Sequence, residues 1–169
     1  HHYQYLLGFW DEATGFRWLF GTKIHTTEEC ERITQLLRAA LRNVLGEVEI
    51  IRTDNAPEFA SERWSDFLAD GLMAEEHSIA YDARAMGGVE RTWLITAPSA
   101  GCLLSQFGAG RNHWYTACAH SLLLANASSS DVVTIDGTRT TSSAHYRLWG
   151  FEFDVRKLRC YGAPVRFLL

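Results

Sequence analysis

A chain of 169 residues, 47% hydrophobic and 21% charged, can bury one sizeable core and is too short for two ordinary domains. Its formal charge of -4 excludes a free-standing basic nucleic-acid binder, because affinity for phosphate comes from Lys and Arg; any grip on nucleic acid must come from local patches. The dispersed Cys30, Cys102, Cys118 and Cys160 form no C-x-x-C pair, which excludes a locally built zinc ribbon and fits reduced thiols in a nuclear or cytoplasmic protein.

Tyr3 to Trp10 is short, apolar and aromatic, Asp11 to Gly15 carries turn chemistry, and Phe16 to Lys23 reads as a second strand, together a hairpin. Thr26 or Thr27, with Glu29 after it, opens a helix in which Ile33, Leu36, Leu37, Ala40 and Leu41 recur at helical spacing until Gly46. Val48 to Arg52 is a third strand that runs into the turn Thr53-Asp54-Asn55. Ser61 to Leu68 follows as a short helix and Ala74 to Ala80 as a weak strand. Tyr81 to Gly88 reads as a loop, and Val89 to Phe107 as a helix that Pro98 is expected to kink or shorten. Asn112 to Asn126 is the clearest later helix, with Trp114, Cys118, Leu122 and Ala125 on one face. From Ala127 a Ser-rich linker leads into an irregular tail whose Tyr146, Trp149 and Tyr161 are expected to pack on the domain or on a partner chain. The division implied is a core over 1-126 and an extension over 127-169. Strands first, then alternation with helices, give an α/β layer rather than a bundle. No charged-then-apolar leader and no apolar run near ~18 residues is present, so neither secretion nor a membrane span is expected.

Asp54 stands where a strand becomes a turn, the place from which an α/β sheet presents a side chain to a ligand. Glu90 opens a helix. If the segment between them returns the second carboxylate to the sheet end, the two make a hard oxygen site suited to Mg2+ or Mn2+. Two such ions, ~3.5 to 4 Å apart, support in-line phosphoryl transfer. The bland alternative is an ordinary turn aspartate and a glutamate favoured by the helix dipole.

Ile51 to Phe59, IRTDNAPEF, resembles the R-T-D-N-G-x-E-[FY] motif of copia-type long-terminal-repeat retrotransposon integrases, and Tyr81 to Arg91, YDARAMGGVER, is similar to their Y-T-P-Q-Q-N-G-V-A-E-R. Phe9 to Leu19 resembles the family's hairpin at Asp11, Phe16 and Trp18. Further matches are Trp114, Ala117 and Asn126 in a later helix, Tyr146, Leu148 and Trp149, and Leu158 to Gly162. The resemblance implies a ribonuclease H-like mixed sheet with helices on both faces. It further implies catalytic and metal-ligating roles for Asp54 and Glu90, a motif role for Glu58, and DNA contacts from Arg84, Arg91 and Asn55. The implied activity is Mg2+- or Mn2+-dependent processing of DNA 3'-ends and strand transfer, with element ends and target DNA as partners and a homo-oligomer as the working form.

The chain also departs from the family. Its first catalytic aspartate lies on a strand before the hairpin, and that strand is expected to be missing here, leaving Asp11 as a third-acid candidate whose ordinary reading is a turn-stabilising side chain. Ala83, Arg84, Ala85 and Met86 replace the loop's Pro, Gln pair and Asn, and Thr92, Trp93 and Leu94 follow the Glu-Arg pair in place of basic and amide residues. The polypeptide as given is therefore expected not to perform strand transfer. A competing expectation is a decayed or repurposed integrase-like module that binds nucleic acid or protein without catalysis; another is a ribonuclease H-like nuclease of a different lineage.

Overall fold

The computed structural model describes residues 3–54, 56–77, 87–133 and 139–163. Arg84, Asn55 and nearly all of the expected loop at 81–88 lie outside them.

The expected hairpin forms as β1 (Tyr5–Trp10) and β2 (Arg17–Thr22). Its turn is closed by Asp11, whose N–H donates to the Phe16 carbonyl at 2.9 Å and whose carboxylate accepts from the Thr14 N–H and hydroxyl. Gly15 takes φ +71, and a Cβ there would meet the Arg147 guanidinium, so the turn requires glycine for both reasons.

Helix α1 (Thr27–Leu45) starts and stops where its punctuation says: the Thr26 side chain accepts from the Glu29 N–H, and Gly46 ends the helix at φ 83. The capping box is half made. Glu29 turns its carboxylate to Arg32 and to the Thr22 hydroxyl rather than back to the cap. The buried stripe is Cys30, Ile33, Thr34, Leu37 and Leu41. Leu36 is 52% exposed, so the expected face was rotated; Cys30 and Thr34 belong to it and Leu36 does not.

β3 (Ile50–Thr53), α2 (Glu62–Asp70) and β4 (Ala74–His77) form a strand–helix–strand unit, with the strands parallel and Thr53 opposite His77. Ser61 caps α2 by accepting from the Trp64 N–H. Trp64 and Leu68 from α2 bury with Cys30 and Met73, and Leu7, Val48, Ile51, Phe59 and Phe67 pack around them. Full burial of an aromatic or aliphatic side chain stabilises by roughly 1.5–3 kcal/mol, so this cluster dominates the unit.

Helix α3 (Gly87–Gln106) runs through Pro98 and is not shortened by it. The buried stripe of α3 is Thr92, Thr96 and Ala100, at i, i+4 and i+8, while Pro98 is exposed. The carbonyl that loses its partner at Leu94 therefore belongs to the solvent side, where water can satisfy it. A 3-10 turn at Arg111–His113 leads into α4 (Trp114–Ala127), which buries Ala117, Cys118, Ser121, Leu122 and Asn126.

The expected Ser-rich linker is instead an antiparallel pair, β5 (Ser129–Val133) and β6 (Arg139–Ser143), followed by α5 (Ala144–Trp149), which Ser143 caps by accepting from the Tyr146 N–H. Ala144 and Leu148 are the buried residues of α5; Tyr146 and Trp149, expected to pack on the domain or on a partner chain, are 47% and 38% exposed in the single chain. Each of the three sheets among the described residues has two strands. Contacts group the chain into two units, 1–8 with 20–90 and 9–19 with 91–169. No helix among the described residues is long and apolar enough to cross a membrane.

Candidate metal and nucleic-acid site

Asp54 directly follows Thr53, at the carboxyl end of the parallel β3–β4 pair, which is where ligands approach open α/β sheets. Its carboxylate is exposed and accepts from the Ala56 N–H at 3.3 Å, an Asx-type contact that begins the descent from the strand. Beneath it Thr53 is buried with its hydroxyl unpartnered among the described residues. On the strand itself Arg52 grips Glu76 of β4 at 2.8 Å, an exposed cross-strand pair.

The segment after Asp54 is clamped to the start of α1. His25 Nε2 lies 2.6 Å from Glu58 Oε1, with the Glu58 side chain 8% exposed and that of His25 48% exposed. The Thr27 hydroxyl donates to the Glu58 carbonyl at 2.9 Å, and the His25 ring stacks on Tyr5 with centroids 5.1 Å apart. The motif glutamate thus holds the turn that carries Asp54. Burial, with the nearby charges of Glu58, Glu29 and Glu31, pushes the Cys30 thiol up to about 11 and makes it inert at neutral pH.

Glu90 lies in the first turn of α3 and is exposed, where the helix dipole favours a carboxylate. Among the described residues neither Asp54 nor Glu90 is in an ion pair, and no group of three His, Cys, Asp or Glu side chains gathers to hold a metal. The donors present are carboxylate oxygens in water, chemistry that suits a hydrated Mg2+ or Mn2+ and not a soft metal.

Arg91 is exposed and close enough to Arg17 to act on it. The Arg17 guanidinium is held below the usual arginine range by burial first, then by the positive charges of Arg147 and Arg91. Arg147 is itself anchored, its Nε donating to the Thr14 carbonyl at 2.6 Å and its Nη1 to the Ser142 carbonyl at 2.7 Å. Arg17 thus lies beside two other cations, while Arg147 also feels the negative charge of Glu152, so the positive charge here is partly offset. Asp11, the third-acid candidate, spends one carboxylate oxygen on the Thr14 backbone and hydroxyl. Sequence reasoning missed His25: a lone histidine before a helix cap carries no signal, and its partner lies beyond the next helix.

No family model matches the chain. Among curated proteins, the Transposon Ty1-LR3 Gag-Pol polyprotein of Saccharomyces cerevisiae is 24% identical over 163 residues, which is 96% of this chain, and the Ty1-DR4 Gag-Pol polyprotein is 23% identical over the same span. The chain covers 9% and 10% of those polyproteins. Among solved structures, a chain of the simian T-cell lymphotropic virus intasome, in complex with PP2A regulatory subunit B56 gamma, superposes with a TM-score of 0.64 at 22% identity, covering 85% of this chain and 48% of that one. The HTLV-2 integrase catalytic core domain, in complex with magnesium in a trimeric form, superposes at 0.58 and 23% identity, covering 88% and 90%. The fold is that of a ribonuclease H-like integrase catalytic core. Along nearly its whole length the sequence is similar to these retrotransposon polyproteins, in keeping with the motif resemblance, while the fold is similar to that of integrase catalytic cores.

Proposed function

We propose that this module serves metal-dependent DNA integration, in which a DNA 3'-end is trimmed and joined to target DNA. The observation that carries the reading is the placement of two solvent-facing carboxylates that form no ion pair among the described residues: Asp54 at the carboxyl end of the parallel strands and Glu90 in the first turn of α3. These two residues would hold the ion. Mg2+ or Mn2+ supplies positive charge to the phosphate and to the attacking oxygen of an in-line displacement. The chain's own part is positional: Glu58, clamped by His25 and Thr27, fixes the turn bearing Asp54, and Arg91 draws a phosphate toward Glu90. Arg84 and Asn55 are assigned DNA contacts on the motif resemblance, and Asp11 remains the third-acid candidate within this chain. The trimeric and intasome settings of the solved neighbours support DNA partners and a homo-oligomeric working form, and a DNA-joining role fits a nuclear or cytoplasmic protein.

A second reading, a nucleic-acid- or protein-binding module without catalysis, is favoured by one observation: no third acid joins the pair among the described residues. The deciding experiment is Mn2+-dependent joining of a labelled DNA end to plasmid, run with this chain and with the chain extended upstream in its reading frame. Joining that is lost in Asp54→Asn and in Glu90→Gln supports integration. Joining that survives both substitutions, or its absence from both forms, overturns it in favour of the binding module.

A further inference from the structure

The acidic chain concentrates positive charge in one short segment, Arg156 to Arg159, next to a 3-10 turn at Val155–Lys157. This segment and α4 enclose an open groove of about 660 Å³, within the ~300–1,000 Å³ usual for ligand sites. Its cationic and imidazole lining is His120, Lys157 and Arg159, its apolar lining includes Phe153, Leu158 and Tyr161, and no carboxylate among the described residues lines it. The acids nearby on the same segment are engaged: Asp154 holds Arg156 at 2.8 Å and also feels Lys157, and Glu152 accepts from the Ser143 hydroxyl at 2.6 Å.

The aromatic wall is fixed in place. The Tyr161 hydroxyl donates to the His113 carbonyl at 3.1 Å and lies 2.8 Å from Thr116 Oγ1, while its ring meets His120 at 5.6 Å and Phe107 at 6.2 Å. Gly162 turns the chain here at φ +79, and a Cβ would stand 3.0 Å from the Phe107 ring, so the turn is built for glycine. A fixed ring beside two exposed cations, one of which, Arg159, donates to the Arg156 carbonyl at 3.3 Å, matches a ligand with planar bases on a phosphate backbone, since bases stack on aromatic faces and phosphates seek Lys and Arg.

We propose that the groove lined by Phe153, Lys157, Arg159 and Tyr161 binds single-stranded DNA. The choice of DNA rests on the integration reading; the binding itself needs neither Asp54 nor metal. It gives the unit of 9–19 and 91–169 a hold on a strand that uses neither Asp54 nor Glu90.

Cys160 lines the groove and is exposed; Cys102 on α3 is exposed outside it, and the other two cysteines are buried. Alkylation of Cys160 and Cys102 can therefore be followed side by side in the unaltered protein, in EDTA, with and without an oligothymidylate of roughly ten nucleotides. The expected result is slowed alkylation of Cys160 with Cys102 unchanged, and the same protection in Asp54→Asn. Replacing Lys157 and Arg159 by Gln should weaken oligonucleotide binding roughly tenfold at low salt and flatten the salt dependence by roughly 1.4 in log–log slope, the loss of two phosphate contacts. No protection of Cys160, equal protection of both thiols, or equal protection by duplex DNA or polyglutamate overturns the proposal. Protection of Cys160 by a protein that fails to join DNA ends leaves the groove standing while the catalytic reading falls.

Discussion

Asn126 pairs its side-chain amide with both backbone groups of Arg17, accepting from the N–H at 3.1 Å and donating to the carbonyl at 2.8 Å. A buried amide near the end of α4 thus stands in for a neighbouring strand at the start of β2. This is the physical content of the asparagine that the motif resemblance singled out.

Asn126→Ala leaves both Arg17 groups without their partner. The expected cost is about 2–4 kcal/mol, read as a lowered urea midpoint at unchanged slope. Asn126→Asp keeps the acceptor but sets a carboxylate against the Arg17 carbonyl, and should be no better. A change under ~0.5 kcal/mol for the alanine variant would mean that the pair does not hold the hairpin.

Cys30 sets an alkaline limit on stability. Its folded thiol titrates at about 11 against an ordinary value of 9.0, so below pH 9 both states keep the proton and stability is unaffected by it. Between 9 and 11 the unfolded chain loses a proton that the folded chain retains, and stability falls by roughly 2 kcal/mol. Cys30→Ala, although weaker overall from lost packing, should show a flatter decline over that window. Parallel pH profiles for the two proteins would refute this origin of the limit.

Leu72 follows α2 at φ 56 and is 91% exposed, a left-handed conformation unsuited to a branched side chain and an apolar surface without cover. The left-handed region costs a non-glycine residue roughly 1–2 kcal/mol, and asparagine tolerates it better than leucine. Leu72→Asn should raise the thermal midpoint by a few degrees, corresponding to about 0.5–1 kcal/mol. A lowered midpoint would show that the leucine is covered in solution.

His25→Ala tests the clamp on the Asp54 turn. Glu58 would keep its carbonyl bond from Thr27 but lose its partner at Oε1, leaving a nearly buried carboxylate oxygen without its hydrogen-bond partner. The expected outcome is a loss of about 1–3 kcal/mol together with faster hydrogen exchange at Phe59 and Ala60, whose amides bond the Ala56 carbonyl. Unchanged exchange at those two amides would separate the His25–Glu58 contact from the order of the turn.

Local chemistry made much of the fold legible. Thr26 and Gly46 bracket α1, Ser61 starts α2, and Asp11 with Gly15 turns the hairpin, because each acts on backbone within a few residues. Asp54 at a strand end was readable for the same reason. Features set by distant partners were not. Leu36 has the right spacing for the core but stays half exposed, and the serines of β5 and β6 read as a linker because their strand character comes from pairing with each other. Tyr146 and Trp149 suggested burial by type, yet α5 turns Ala144 and Leu148 inward. His25 with Glu58, and Asn126 with Arg17, are pairs that no window along the chain contains.

Two-stranded sheets have a kinetic meaning. Among the described residues every strand has a single hydrogen-bonded neighbour, so the ladder amides have no inner strand in which to shelter. The slowest protons in the unit of 1–8 and 20–90 should then belong to the helices around the Trp64 cluster, and the sheets should open and close many times before those helices let go. In such a protein the helices carry the memory of the fold, and the strands that present Asp54 remain the most readily remodelled part of it.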